Sequence, residues 1–155
     1  MEKDYDELWY AYGIQFNAKL EDLNDGDWSK LDEIEQEIAA LWKLVVDVYG
    51  GGFDDFFLNW GYDCYTYAMR GIRRVAEGNS SVEDVYGLFE TAYKEVFARF
   101  ENDDRISSYA DIIQYLTEED KELLERTYDE FDQELGPMFC EAACEYYCET
   151  LKKKP

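Results

Sequence analysis

Gly50-Gly51-Gly52-Phe53-Asp54-Asp55-Phe56-Phe57-Leu58-Asn59-Trp60-Gly61 is the stretch that decides how this chain folds. Three consecutive glycines are unsuited to a helix interior. They end the amphipathic segment before them and free the backbone for a tight reversal. Phe53, Phe56, Phe57 and Trp60 follow at once and carry the chain back into a core. Asn59 and Gly61 close the unit with residue types that suit turns and positive φ. By composition this is a buried corner between two helices.

Outward from the corner, both flanks read as helix. Residues 29–49 carry Leu31, Ile34, Ile38, Leu41, Trp42, Val45 and Tyr49 on one apolar stripe, with Asp32, Glu33 and Glu37 opposite. Ser29 with Asp32 suits the N-cap of that helix. After a short turn over Phe53–Leu58, residues 62–77 place Tyr65, Ala68, Met69, Ile72 and Val75 inward and end at Gly78-Asn79. Arg70, Arg73 and Arg74 form the densest basic cluster, expected to pair internally with the acidic excess.

Farther out, residues 4–23 repeat Tyr5, Leu8, Trp9, Tyr12, Phe16, Leu20 and Leu23 at helical spacing, and Asn24-Asp25-Gly26-Asp27 reads as a turn. Ser80 with Glu83 predicts a capping box opening a helix over 81–100. Residues 105–116 form a short apolar segment. Thr117 opens a helix whose first turn is acidic, where the dipole favours carboxylates. Leu124, Tyr128, Phe131 and Leu135 face inward from it. Gly136-Pro137 predicts a break before a last helix that ends in Lys152-Lys153-Lys154. No segment alternates with period two. The expected fold is all-α, a single-domain bundle of six or seven helices over residues 1–155.

Charge is the second deciding feature. Thirty-seven Asp and Glu face fifteen Lys and Arg, a net charge of −22. With 46% hydrophobic and 17% aromatic residues the chain is nonetheless rich enough in apolar surface to fold. A small domain needs roughly 2–8 charges for solubility, so −22 points to a functional field. That field repels nucleic acid and anionic membranes and attracts basic partners. The Met1-Glu2-Lys3-Asp4 start lacks an apolar core of a signal sequence, and no apolar run reaches membrane-spanning length. The expected location is the cytoplasm, where four cysteines stay free thiols.

The available chemistry is narrow. Histidine is absent, which removes Ser-His and Cys-His nucleophiles and the usual zinc ligand. The glycine run is followed by Asp54-Asp55 rather than Lys-Ser, so it is no phosphate cradle. Those two acids read as helix N-terminal carboxylates. Asn24–Asp27 lacks a calcium-loop pattern. Cys140, Cys144 and Cys148 share one helix side and, with Cys64, read as small core residues rather than a zinc site. No catalytic residue, metal or cofactor is expected; the chain reads as a binding protein and not an enzyme.

The motif Gly51-Gly52-Phe53-x-x-Phe56-Phe57-x-Asn59 resembles the signature of a bacterial family of small acidic helical proteins typified by DNA mimic protein nineteen. The likeness continues through Ala68-Met69-Arg70-Gly71-Ile72 and Arg105-Ile106, covering roughly residues 30–135. It implies a DNA mimic that occupies the DNA-binding face of a helix-turn-helix transcription factor, in agreement with the sign of the charge. The family's partner-binding acids cannot be placed by motif.

From the residues alone, carboxylate rows at Glu33/Glu37, at Glu118, Glu119, Glu122, Glu125, Asp129 and Asp132, and at Glu141/Glu145/Glu149 are the candidate partner-binding face. Duplex DNA carries one charge per about 1.7 Å of axis, whereas a helix row rises about 6 Å per four residues. Several acidic helices, or a homodimer, are needed to imitate both edges of a groove. An immunity or inhibitor protein for a basic toxin such as a nuclease fits the same charge.

Overall fold

The computed structural model describes residues 5–77 and 79–152. The helix start expected at residue 4, the side chain of Tyr5, Gly78, Lys153 and Lys154 lie outside the described residues. Six α-helices make up the fold, with no strand among the described residues. They are α1 (Tyr5–Ala18), α2 (Glu33–Gly51), α3 (Phe53–Glu77), α4 (Glu83–Ala92), α5 (Glu118–Glu130) and α6 (Gly136–Lys152). Short π turns extend α1 over Lys19–Leu23 and α4 over Tyr93–Phe97, and another joins α5 to α6 over Phe131–Leu135.

The glycine corner joins α2 to α3 through one residue. Gly52 takes φ 113° and ψ 175°, a conformation closed to L side chains at low energy. Its N–H caps α2 by donating to the carbonyls of Asp47 (3.2 Å) and Val48 (3.0 Å). Phe53, Phe56 and Phe57 then enter the core, all fully buried. Phe53 sits 5.1 Å from the ring of Phe89 and 5.7 Å from Phe97, while Phe57 stacks on Phe97 at 4.2 Å. The second punctuation mark is real too. Gly61 interrupts α3 with φ 77°, and the ring of Tyr109 packs where a Cβ would stand. Asn59 keeps negative φ and contributes instead by donating to Asp47 at 3.2 Å.

Several ends differ from the sequence reading. α2 starts at Glu33, because Asp32 forms the capping box with Glu35. Ser29 is drawn into a 3-10 turn by Asp27, whose carboxylate accepts from its N–H and hydroxyl. Ser80 likewise loses its capping role: Asn79 caps a 3-10 turn over Ser80–Val82, and α4 follows without a side-chain cap. Thr117 does cap α5, in a box with Asp120. Gly136-Pro137 does not break the chain. The N–H of Gly136 donates to the carbonyl of Phe131, and that wider π turn absorbs the missing N–H of Pro137. Leu23, expected inward, is 76% exposed, and Ile113 is 56% exposed.

α2 is the central helix. It packs most extensively on α3 and also touches α1 and α6. The side of α2 that carries Glu37 therefore faces α3 and α6, and it is Val46 and Tyr49, the latter expected inward, that reach solvent. This overturns Glu37 as a partner-binding acid: the side chain is 0% exposed. Its carboxylate accepts from Arg70 Nε at 2.7 Å, from Arg74 Nε and Nη2 at 2.7 Å each, and from the Tyr147 hydroxyl at 2.8 Å. Three helices thus meet at one carboxylate. The arginines are paired internally as their sequence setting implies, except Arg73, which donates to the Tyr86 hydroxyl at 2.9 Å.

Candidate functional interface

α5 presents the exposed carboxylates of the sequence reading. At about 100° per residue, Glu118, Glu122, Glu125 and Asp129 fall within about 60° of one another on the side away from Asp120, Leu124 and Thr127. All four acids are exposed, and the three opposing residues are buried. Glu119 stands on one flank of the row, and Asp132 continues it in the π turn; both are exposed. Glu118 pairs with Lys121 at 3.5 Å. Glu119, Glu122, Glu125, Asp129 and Asp132 have no ion pair among the described residues. The row is about 16 Å long, from eleven residue steps of 1.5 Å.

The underside of α5 explains its firm placement. Asp120 reaches back to accept the N–H of Thr117 at 2.8 Å and pairs with Arg99, whose Nη1 lies 3.0 Å from its Oδ1. The hydrogen bonds of Arg99 hold the Asp120 carboxyl below its ordinary range, against the opposing effect of burial. Leu124 and Phe131 complete the anchor in the core.

Two clefts flank the row. The first, about 220 Å³, is lined by Gly51, Gly52 and Asp54 from the glycine corner and by Lys121, Leu124, Glu125 and Tyr128 from α5. It brings the motif glycines beside one of the row's acids, a proximity invisible in the sequence. Burial, reinforced by the Asp55 charge, pushes the Asp54 carboxyl up from its ordinary value. The second cleft, about 450 Å³, lies between α4 and α5. Leu88, Leu123 and Leu135 give it an apolar lining, with Asp84, Glu130 and Glu134 among its polar residues. Arg126 also lines it and has no ion pair among the described residues. Nothing in the sequence pointed to this cleft, because its two walls lie far apart in the chain.

The other predicted acids are dispersed. Glu33 is 62% exposed but faces Arg74 at 3.5 Å and Arg70 at 3.9 Å, so its charge is partly met inside the fold. Glu141 and Glu145 are exposed on α6, away from α5 in sequence, and Glu149 pairs with Lys152 at 3.1 Å. Phe53, Phe56 and Phe57 serve the core. Cys64, Cys144 and Cys148 are buried, Cys140 is half-buried, and none of the four forms a disulfide among the described residues. Among the described residues no three His, Cys, Asp or Glu side chains converge to hold a metal. No described helix is long and apolar enough to cross a membrane.

Neither the curated proteins nor the solved structures include a match to this chain. Residues 29–150 match the family described as DMP19-like protein, from the 3-10 turn before α2 into the last turn of α6. With the glycine corner, the central α2 and the acidic α5 all inside that span, the chain belongs to the DMP19-like protein family.

Proposed function

We propose that this protein binds the DNA-binding surface of a basic partner, such as a helix-turn-helix transcription factor, through the acidic row of α5. The observation that carries the reading is the row itself. Glu118, Glu122, Glu125 and Asp129 are exposed, aligned, and held on a helix whose opposite side is locked into the core. A net charge of −22 supplies the long-range attraction, and the family's type member, a DNA mimic, gives the precedent. Carboxylates in this setting take the place of phosphates against lysines and arginines of the partner.

The test begins with capture of partners from the native host at low and high salt. It continues with a titration of the captured partner against its DNA. Competition is expected; simultaneous binding of DNA and this protein without mutual loss of affinity would sink the mimic reading. Capture of a basic nuclease in place of a transcription factor would make the protein a toxin inhibitor. Replacing Glu118, Glu122 and Glu125 by Gln and Asp129 by Asn is expected to slow association by roughly 10- to 100-fold at low salt. The melting temperature should stay within a few degrees, since the four side chains are exposed. Unchanged association would move the site elsewhere, to Glu141 and Glu145 first.

A further inference from the structure

We propose that the cleft between α4 and α5 is a docking groove for a basic amphipathic helix that inserts a leucine-sized side chain. The proposal rests on the reading of α5 as the partner-binding face and adds what selects among basic partners. A row of carboxylates attracts any cationic surface. An apolar pocket beside it does not.

The cleft holds about 450 Å³, room for more than one side chain. Leu88 from α4, Leu123 from α5 and Leu135 from the π turn are each half-buried and line it together. Gly87 lies in α4 and is exposed; a Cβ there would meet nothing within 4 Å. The α4 wall is therefore lowered where a partner backbone would approach. Asp84, Glu130 and Glu134 line the same cleft and are exposed. Apolar residues and carboxylates lining one groove match a helix with an apolar stripe flanked by lysines or arginines. Arg126, without an ion pair among the described residues, stands ready for a carbonyl end or a single carboxylate of the incoming helix. Glu130 also borders the α5 row, so a helix seated here stays within reach of Glu122 and Asp129.

Two capped Ala/Lys peptides of about 16 residues, long enough to hold helix, serve as probes. One carries Leu at two positions four apart; its twin carries Gln at both, with equal charge and similar helix propensity. Titrated into the full chain, the Leu peptide is expected to bind at least about tenfold tighter, and the ratio should survive high salt. Amide shifts should centre on Gly87, Leu88 and Leu123. Gly87→Trp fills the open space and should bring the ratio to about one. Thr91→Trp, from an exposed position lining the same cleft, is the second variant should Gly87→Trp fold poorly. The neutralised α5 row should weaken both peptides and leave their ratio intact. A row variant that weakens neither peptide, while the ratio persists, would overturn the α5 reading and keep the groove. Equal affinities of the two peptides, no binding of either, or a ratio that survives both Trp variants would overturn the groove.

Discussion

Glu37→Ala is expected to lower the melting temperature by about 10 °C, the largest effect of any single acid in the chain. The reason is the company that Glu37 keeps. Removing it takes the buried acceptor from Arg70, Arg74 and the Tyr147 hydroxyl. Among the described residues it leaves the two arginines only the exposed carboxylate of Glu33, at 3.5 Å or longer, as counter-ion. Loss of one partner from a buried ion pair costs about 3–5 kcal/mol, because the remaining charge is left without its counter-ion. Arg70 and Arg74 are 34% and 30% exposed, so they recover some hydration and the lower end applies, about 3 kcal/mol. For a domain of this size each kcal/mol moves the midpoint by about 2–4 °C. Glu33→Ala is the matched control. It is 62% exposed with contacts of 3.5 Å or longer, and it should cost less than about 1 kcal/mol. Replacing Arg70 and Arg74 by Met in the Glu37→Ala background should restore part of the loss, since no charge is then stranded. Equal melting of the Glu37 and Glu33 variants would refute the account.

The three glycines of the corner are expected to respond in three different ways. Gly52→Val should cost about 3 kcal/mol or more, as φ 113° is closed to a β-branched residue. A Cβ there would also stand 2.8 Å from Asp54 Oδ1. Gly51 is helical and exposed, and the nearest atoms to an added Cβ belong to the carboxyl of Asp55, the far end of an exposed side chain. Gly51→Ala should therefore stay within about 1 kcal/mol of the parent. Gly50 is helical with nothing within 4 Å of its Cβ position, so Gly50→Ala should add about 0.5 kcal/mol. Denaturant melts of the three variants read the order directly. A Gly52 variant as stable as the parent would refute the strained turn.

How much of this was legible beforehand depended on where the information lay. The corner was readable because Gly50–Gly52 and the phenylalanines after it are adjacent in the chain. α5 was readable because its apolar and acidic positions recur at helical spacing and Thr117 caps it within one turn. Helix ends were less so. At Ser29 and Ser80 a neighbouring Asp27 or Asn79 captured the local N–H groups first. At Pro137 a π turn left no punctuation in the sequence. Glu37 misled for a different reason. A helical wheel assumes one face in water, and α2 has neighbours on several sides. The arginine cluster gave half of that answer, since its internal pairing was foreseeable but its carboxylate partner, 33 to 37 residues away, was not. The α4–α5 cleft was out of reach altogether, being a property of two helices brought together.

The one-residue joint at Gly52 also has a kinetic consequence. Bringing two segments together costs entropy that grows with the length of chain between them. Between α2 and α3 that length is a single residue, and the two helices share the most extensive contact in the molecule. Their hairpin can form with less loss of chain freedom than any other pairing, and it carries both Glu37 and its arginines. The α2–α3 unit is then the natural nucleus for folding. Its amides, at Leu41 and Ile72 for example, should be the last to exchange with deuterium under native conditions, well after those of α5; the opposite order would place the nucleus elsewhere. The helix offered to partners would thus be fixed in place only after the α2–α3 unit has formed.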